Sequence, residues 1–487
     1  MAEEMFLGVD VGTTSLKAGL FGANGRQLDS FSAAHPTRRT QPGWVEQDPD
    51  NWVDLIRAAL AGFAAKRDLS GLKSIGITSQ VNTHIFVDQA GQALTPAIIW
   101  QDGRCAEVAA ALDAQISADD RIDWWGAPMP IDASHCLARM KWVADNEPEI
   151  WNKTKWVMLP KDYCILKLTG EAVTDPISNI GMVDLGLNYI PKLLDMVPGS
   201  AEKLPRLARD TDIAGVVKQG QVAENVPVAV STMDAWSGIC GVGVNAPGEA
   251  FYLSGTSEVL GVVSEDITPT PGILVFPKVG DMRVHVGPTQ SGGASVLWYC
   301  DLFDITPKQM AELVEATDQS NSAPLFLPHL QGERAPLWDI DARGTLLGMN
   351  ANTGKAEIAR AVYEGVAFSA RLLARSLEGS SGGEITSFNC GGGGFQSDVW
   401  NQIRADVLGV PLKRTNVSDP GVLGAAIMSA VAAGLYPDLG AALAQVVAFD
   451  RTYLPDPAQK TRYDAMFQLY QDAYFAARDI NHKLASF

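Results

Sequence analysis

Phe6-Leu-Gly-Val-Asp-Val-Gly-Thr-Thr-Ser-Leu-Lys-Ala-Gly-Leu-Phe21 is the stretch on which the reading of this chain turns. A short apolar run, Phe6–Asp10, stops at Gly12-Thr13-Thr14, and a second run, Leu16 to Phe21, starts at once. Asn24-Gly25 is a hairpin signal, and Gln27 to Ser32 then alternates between apolar and polar residues. Together these predict a three-stranded antiparallel meander with a tight turn between its first two strands. Asp48-Pro49 reads as a helix start, with Asp as N-cap and Pro at the first helical position. Trp52, Leu55, Ile56, Ala59, Leu60 and Phe63 then fall on one helical face. Ser74–Ser79 and Ala97–Trp100 read as strands, and strands alternating with helices predict an α/β domain.

The same opening recurs halfway along. Glu249–Ser254 reads as a strand, Gly255-Thr256-Ser257 as a turn and Val259–Ser264 as a second strand. One Gly-Thr turn between apolar runs is weak evidence. Two of them half a chain apart suggest two similar domains, 1–246 and 247–487, with the boundary at the turn-rich Asn245-Ala246-Pro247-Gly248. The second half continues with a long helix pattern over Ala356 to Leu377. A short strand, Thr386 to Asn389, follows and runs into Gly391-Gly392-Gly393-Gly394. Helices are then expected at Val399 to Leu408, from Pro420 and over Pro457 to Leu484.

Composition removes several classes. With 38 Lys and Arg against 56 Asp and Glu, the formal net charge of −18 repels nucleic acid and anionic membrane. The 16-residue stretch Gly421 to Tyr436 is too short and too rich in Ala and Gly to span a bilayer. The acidic segment Met1 to Phe6 does not read as a signal peptide. Cys105, Cys136, Cys164, Cys240, Cys300 and Cys390 form no C-x-x-C motif, which predicts reduced thiols in a cytoplasmic protein.

Three features carry chemistry. The two Gly-Thr turns present backbone N–H groups and hydroxyls suited to phosphate oxygens. Beside the first, Asp10 is placed to hold a Mg²⁺ carried by nucleotide phosphates, and Lys17 offers positive charge. An ordinary hairpin is the competing account of each turn taken alone. The tetraglycine 391–394 follows a strand and precedes a helix, so its backbone can approach a ligand closely; a flexible loop is the alternative. Val226 to Asp234 is an apolar strand ending in small polar residues and a carboxylate. Asp234 is therefore a candidate general base, or an N-cap for a helix over Ala235 to Cys240, or both. No Walker-type or complete Rossmann glycine motif is present.

These residues resemble the FGGY carbohydrate kinase family, and within it the xylulokinase-like (pentulose kinase) members most, over nearly the whole chain. The carriers are Gly8 to Lys17, Gly43 to Pro49, Ile99-Trp-Gln-Asp-Gly-Arg104, Leu159-Pro-Lys-Asp-Tyr163, Leu168-Thr-Gly-Glu171, Met233-Asp234, Gly255-Thr-Ser257, Gly332-Glu-Arg334, Tyr363-Glu-Gly-Val366, Gly392 to Gly394 and Leu423-Gly-Ala-Ala426. The resemblance implies two actin-like ATPase domains of ribonuclease H-like fold with a nucleotide cleft between them. It implies transfer of the γ-phosphoryl of ATP to a sugar or polyol hydroxyl. The first domain would bind sugar and carry the chemistry, and the second would mainly bind adenosine. Carried over by position, Asp10 would serve the Mg²⁺ end, and Thr13, Thr14, Lys17, Gly255 and Thr256 would surround the phosphates. Gly393, Gly394 and Ser397 would lie against adenosine, and Asp234 would be the base.

One departure matters. After strand Ser74–Ser79 the xylulokinase pattern is Gln-Met-His-Gly and the glycerol kinase pattern Gln-Arg-Glu-Thr. This chain has Gln80-Val81-Asn82-Thr83, with His84 two places late. Gln80, Asn82, His84, Gln101, Asp102 and Arg104 form the pool of expected sugar contacts, with a core hydrogen bond as the competing role for His84. Trp124 and Trp125 read as packing residues. Ketopentoses rank first as acceptors, then tetruloses or polyols such as erythritol, xylitol and glycerol. An actin-like ATPase without a sugar acceptor is the alternative class, and a homodimer is left open.

Overall fold

The computed structural model describes residues 3–280, 282–317 and 324–487, so Met1 and Ala2 of the N-terminal segment lie outside the described residues. Two units emerge. One comprises Met1–Gly243 with Pro420–Val447, the other Val244–Asp419 with Ala448–Phe487.

The first unit is built on β1 (Met5–Val11), β2 (Ser15–Gly22), β3 (Gln27–Ala34), β4 (Leu72–Ser79), β5 (Ile213–Val216) and β6 (Pro227–Ala229), ordered β5-β6-β4-β1-β2-β3. Strands β1, β2 and β3 form the expected antiparallel meander, and β4 and β6 are added in parallel. β1 is central and covered on both faces, which is why its apolar residues run continuously instead of alternating. Edge strand β3 alternates between half-buried and exposed positions. Helix α1 (Pro49–Lys66) starts as expected, with the Asp48 carboxylate accepting the Asp50 N–H. Its buried face, Trp52 to Phe63, joins Val9, Ile75 and Ile77 in one core cluster. Each large side chain there contributes about 1.5–3 kcal/mol by burial. Helices α2 (Cys136–Asn146), α3 (Pro160–Thr169) and α4 (Asp234–Gly241) complete the parts that position the site.

The helix Pro420–Ala432 also belongs to this unit and not to the second, where its position in the chain had placed it. It lies on β1 and β4 in backbone-to-backbone contact. A Cβ on Gly8 would come within 1.9 Å of the Val422 carbonyl oxygen, and one on Gly76 within 1.9 Å of that of Ala425. Glycine is required at both positions, because any side chain would lift the helix off the sheet. Local periodicity predicts this helix but carries no information about which sheet it covers.

The second unit repeats the plan. Its sheet contains β7 (Ala250–Ser254), β8 (Glu258–Val263), β9 (Leu274–Val275), β10 (Val284–Pro288), β11 (Phe388–Gly391), β12 (Leu412–Thr415) and β13 (Phe449–Tyr453), ordered β9-β10-β8-β7-β11-β12-β13. Strands β7, β8 and β10 are an antiparallel meander, and β11 and β12 add in parallel on the β7 side. Five strands thus follow the same order and directions in both units, the arrangement of ribonuclease H-like domains. Helices α5 (Gly293–Phe303), α6 (Lys355–Ser381), α7 (Asp398–Leu408) and α8 (Lys460–Ala485) surround this sheet. Among the described residues no helix is long and apolar enough to cross a membrane.

Candidate active site

In the first unit the turn between β1 and β2 spans Gly12 to Thr14, and Asp10 pairs with Lys17 across the ladder. The turn's carbonyls are tied back into the unit. His35 Nε2 donates to the Gly12 carbonyl at 2.9 Å, Gln47 Nε2 to that of Thr13 at 2.7 Å, and the His35 N–H to that of Thr14 at 3.2 Å. The Trp100 indole N–H donates to Thr13 Oγ1 at 2.9 Å, which leaves the hydroxyl proton of Thr13 to be donated elsewhere. Thr14 is exposed, and Thr13, Asp10 and Lys17 are half-buried.

Gln80 and Asn82 follow directly from the end of β4. Gln80 is buried and donates to Gln47 Oε1 at 2.9 Å, so one amide relay links it to the Thr13 carbonyl. Asn82 is exposed and has φ +52°, the left-handed region in which Asn is among the tolerated residues. His84 is buried, its backbone is bridged to Ile98, and its Nδ1 lies 3.2 Å from Arg139 Nη1. Desolvation first, then the Arg139 charge, hold its pKa well below the usual imidazole value. Nδ1 of the ring thus has a partner in the core. Asp102 and Arg104 are spent largely on each other: Arg104 Nε and Nη2 donate to the two Asp102 oxygens at 2.9 and 2.7 Å, and Nη2 also reaches Glu46 at 2.7 Å. The guanidinium lies 3.6 Å above the Trp44 ring. Gln101 is exposed and meets Arg39 at 3.4 Å, and Trp124 and Trp125 pack edge to face on each other.

Asp234 opens α4, and Met233 holds the N-cap position expected of it. The half-buried carboxylate accepts the N–H of Ala235 at 2.7 Å, and desolvation pushes its pKa up to about 6. Gly421, in the first turn of the helix Pro420–Ala432, lies beside the Asp10 carboxylate and the Asp234 backbone. Its Cβ would be 3.5 Å from Asp10 Oδ2 and 3.9 Å from the Asp234 carbonyl oxygen. A buried ion cluster supports the segment leading to Asp234. Lys161 Nζ contacts Asp162 at 2.7 Å and Asp175 at 2.8 Å and reaches the Val230 carbonyl at 3.3 Å. Thr232 Oγ1 donates to Asp175 at 2.7 Å, and Thr78 Oγ1 donates to the Thr232 carbonyl at 2.6 Å.

In the second unit Gly255 and Thr256 are exposed at the tip of the β7–β8 turn. Their carbonyls accept the Gly293 and Ala294 N–H groups at the start of α5, at 3.0 and 2.9 Å. Gly392 to Gly394 leave β11 with distinct constraints. A Cβ on Gly394 would strike Ser254 Oγ at 2.0 Å, whereas one on Gly393 would meet nothing within 4 Å. Gly394 is thus needed for packing, while Gly393 faces open space. Ser397 caps α7, its Oγ accepting the Trp400 N–H. Arg404 on α7 fastens this loop, donating to the Gly394 carbonyl at 2.9 Å and Ser254 Oγ at 2.8 Å and pairing with Glu258.

Sequence reasoning missed Gln47, Trp100, Lys161, Arg139 and Arg404 as individual site residues. The first three lie within segments already singled out. The two arginines carry no local signal.

The N-terminal domain of the FGGY family of carbohydrate kinases matches residues 5–241, and its C-terminal domain matches residues 250–433. The xylulose kinase of Escherichia coli (strain K12) is 30% identical, with 96% of this chain and 98% of that protein covered. Among solved structures, a ligand-bound xylulose kinase from Lactobacillus acidophilus superposes with TM-score 0.88 at 26% identity, covering 99% of this chain and 100% of that one. A gluconate kinase from the same species gives 0.87 at 26% identity, covering 98% of each. With both domain matches in chain order and the twofold sheet plan carrying them, the chain belongs to the FGGY family of carbohydrate kinases.

Proposed function

We propose that the protein transfers the γ-phosphoryl group of ATP to a hydroxyl of a ketopentose such as xylulose, with Asp234 as general base. The observation that carries this is the carboxylate itself: half-buried, opening a helix, with a pKa of about 6 that keeps it ionised yet basic at neutral pH. Asp234 takes the proton of the attacking hydroxyl, the hydroxyl oxygen bonds to the γ-phosphorus, and ADP leaves with the electrons of the broken P–O bond. Xylulose kinases among the relatives support the ketopentose.

In this reading the first unit binds sugar and carries the chemistry. Gln80 and Asn82 face the acceptor, Asp102 and Arg104 shape their surroundings, and Thr13, Thr14 and Lys17 meet phosphates. The second unit takes the rest of ATP, with Gly255 and Thr256 toward phosphates and Gly393, Gly394 and Ser397 toward adenosine. Among the described residues no group of three or more His, Cys, Asp or Glu can hold a metal. A single carboxylate such as that of Asp10 fits Mg²⁺ that arrives on the triphosphate, since this ion keeps waters and takes only one or two carboxylates. The ion would offset charge on the phosphates. We place the protein in the cytoplasm, a reading that the six free and buried cysteines support.

Because the Asn82 segment departs from both kinase patterns, tetruloses or polyols are the second acceptor class. A coupled ADP-release assay over ketopentoses, tetruloses, erythritol, xylitol and glycerol separates them. The highest kcat/KM is expected with a ketopentose, and hydrolysis without acceptor should be slow. A rate indifferent to every acceptor would instead leave an ATPase.

A further inference from the structure

We propose that Arg139 is a positioning residue for sugar recognition, gathering the segments 80–84 and 98–102 onto one rigid fork and holding Asn82 in its left-handed conformation. The inference rests on the assignment of Asn82 to the sugar site.

Arg139 lies on α2 and is completely buried. Its Nη1 donates to the Asn82 carbonyl at 2.6 Å and to the Ile98 carbonyl, and its Nη2 donates to the Ile99 carbonyl at 2.6 Å. Nε reaches the Ala133 carbonyl at 3.4 Å, and His84 Nδ1, 3.2 Å from Nη1, acts as acceptor, because a guanidinium only donates. These partners are carbonyls and a ring nitrogen. Asp102 and Asp132 act on Arg139 only through space. Burial lowers its pKa to about 10, so the group stays charged at neutral pH.

A cation taken out of water needs its donors satisfied, and here carbonyls from separate segments satisfy them. The arrangement has a geometric consequence. The Asn82 carbonyl, fixed by the planar fork, sets the peptide plane that follows a residue at φ +52°. The Ile98 and Ile99 carbonyls fix the run into Trp100, whose indole touches the first phosphate turn. One side chain therefore ties the acceptor segment to the neighbouring run 98–99, while the first turn keeps its own support from Gln47 on the Thr13 carbonyl. A lysine in its place would offer donors from a single point and could not span these carbonyls.

The test compares Arg139→Lys and Arg139→Gln in the full chain, alone and with Asn82→Leu, using D-xylulose or the best acceptor of the panel. A misplaced acceptor segment should raise the sugar KM about tenfold or more and leave the ATP KM within about twofold, since a displacement near 1 Å can cost roughly 100-fold. Asn82→Leu should then cost less in the Arg139→Lys background than in the wild type, because both changes remove the same contact. Equal losses for sugar and ATP, an unchanged sugar KM, or loss of folding in both variants would overturn the proposal, assigning Arg139 to the stability of the unit. If Asn82→Leu alone reduces sugar efficiency but adds fully to Arg139→Lys, the Asn82 assignment stands and only the positioning role is lost. If Asn82→Leu is silent by itself, the assignment fails and takes this proposal with it.

Discussion

The two Gly-Thr hairpins share a strand order and a turn motif, but they are not copies. The first places four residues, Gly12 to Ser15, between its last paired residues; the second places three, Gly255 to Ser257. Asp10 and Lys17 face each other beside the first turn. Two residues before the glycine of the second turn stands Leu253, paired with Val259. The charge at the second hairpin, Glu258, is turned inward and neutralised by Arg404, which also holds the glycine loop. The buried arginine of the first unit, Arg139, has no such carboxylate among its hydrogen-bond partners and is satisfied by the Asn82, Ile98 and Ile99 carbonyls. A shared backbone plan thus supports two tasks. Beside the first turn an acid and a base flank the hairpin, whereas at the second the carboxylate is buried against an arginine; under the proposed reading the first arrangement serves the reaction and the second holds the nucleotide.

That contrast breaks most easily at Asp234. Asp234→Asn should lower kcat by about 10²–10⁴-fold, the usual range for a general base, with ATP binding retained. Steady-state turnover and nucleotide titration check this, and a near-wild-type rate would reduce Asp234 to a helix-opening residue. Wild-type kcat/KM should rise as pH increases through about 6, where the base loses its proton. The holding unit is probed at Gly393, where a side chain meets no protein atom. Gly393→Val should raise the ATP KM by about 5- to 150-fold, equivalent to a 1–3 kcal/mol clash, and leave the sugar KM alone. An unchanged ATP KM would move adenosine elsewhere. The smallest effect is on stability. The folded pKa of Asp234 lies above its unfolded value of 3.8, so protonation stabilises the fold at low pH and that contribution disappears as pH rises through about 6. Asp234→Asn, neutral throughout, should therefore have a higher Tm than wild type at pH 8 and match it near pH 4. Equal Tm values at both pH values would show that the carboxyl is not desolvated.

Much of the fold was legible because local pattern and tertiary role coincide in it. Phe6–Asp10, Leu16–Phe21 and Gln27–Ser32 fall within β1, β2 and β3, and Asp48-Pro49 caps α1 as its chemistry requires. The second hairpin was recognisable by its likeness to the first. What stayed hidden is long-range. Nothing near Pro420 says that the helix returns to the first sheet; the sign is in Gly8 and Gly76, more than 300 residues earlier, which read as ordinary strand glycines. Arg139 on a short helix resembles any surface arginine until its carbonyl partners are known. His84 illustrates the converse case: a polar residue beside a candidate site whose ring is claimed by the interior.

The excursion of Pro420–Val447 into the first unit also bears on the order of synthesis. A ribosome delivers residues 1–243 long before the helix that must cover Gly8 and Gly76 exists, and the whole second sheet except its last strand is made in between. Until that helix emerges, one face of β1 and β4 has no backbone partner. The nascent first unit cannot complete its core as an autonomous N-terminal domain. It is finished only after the chain has passed through most of its neighbour, so the two units share one folding schedule even though their sheets are separate.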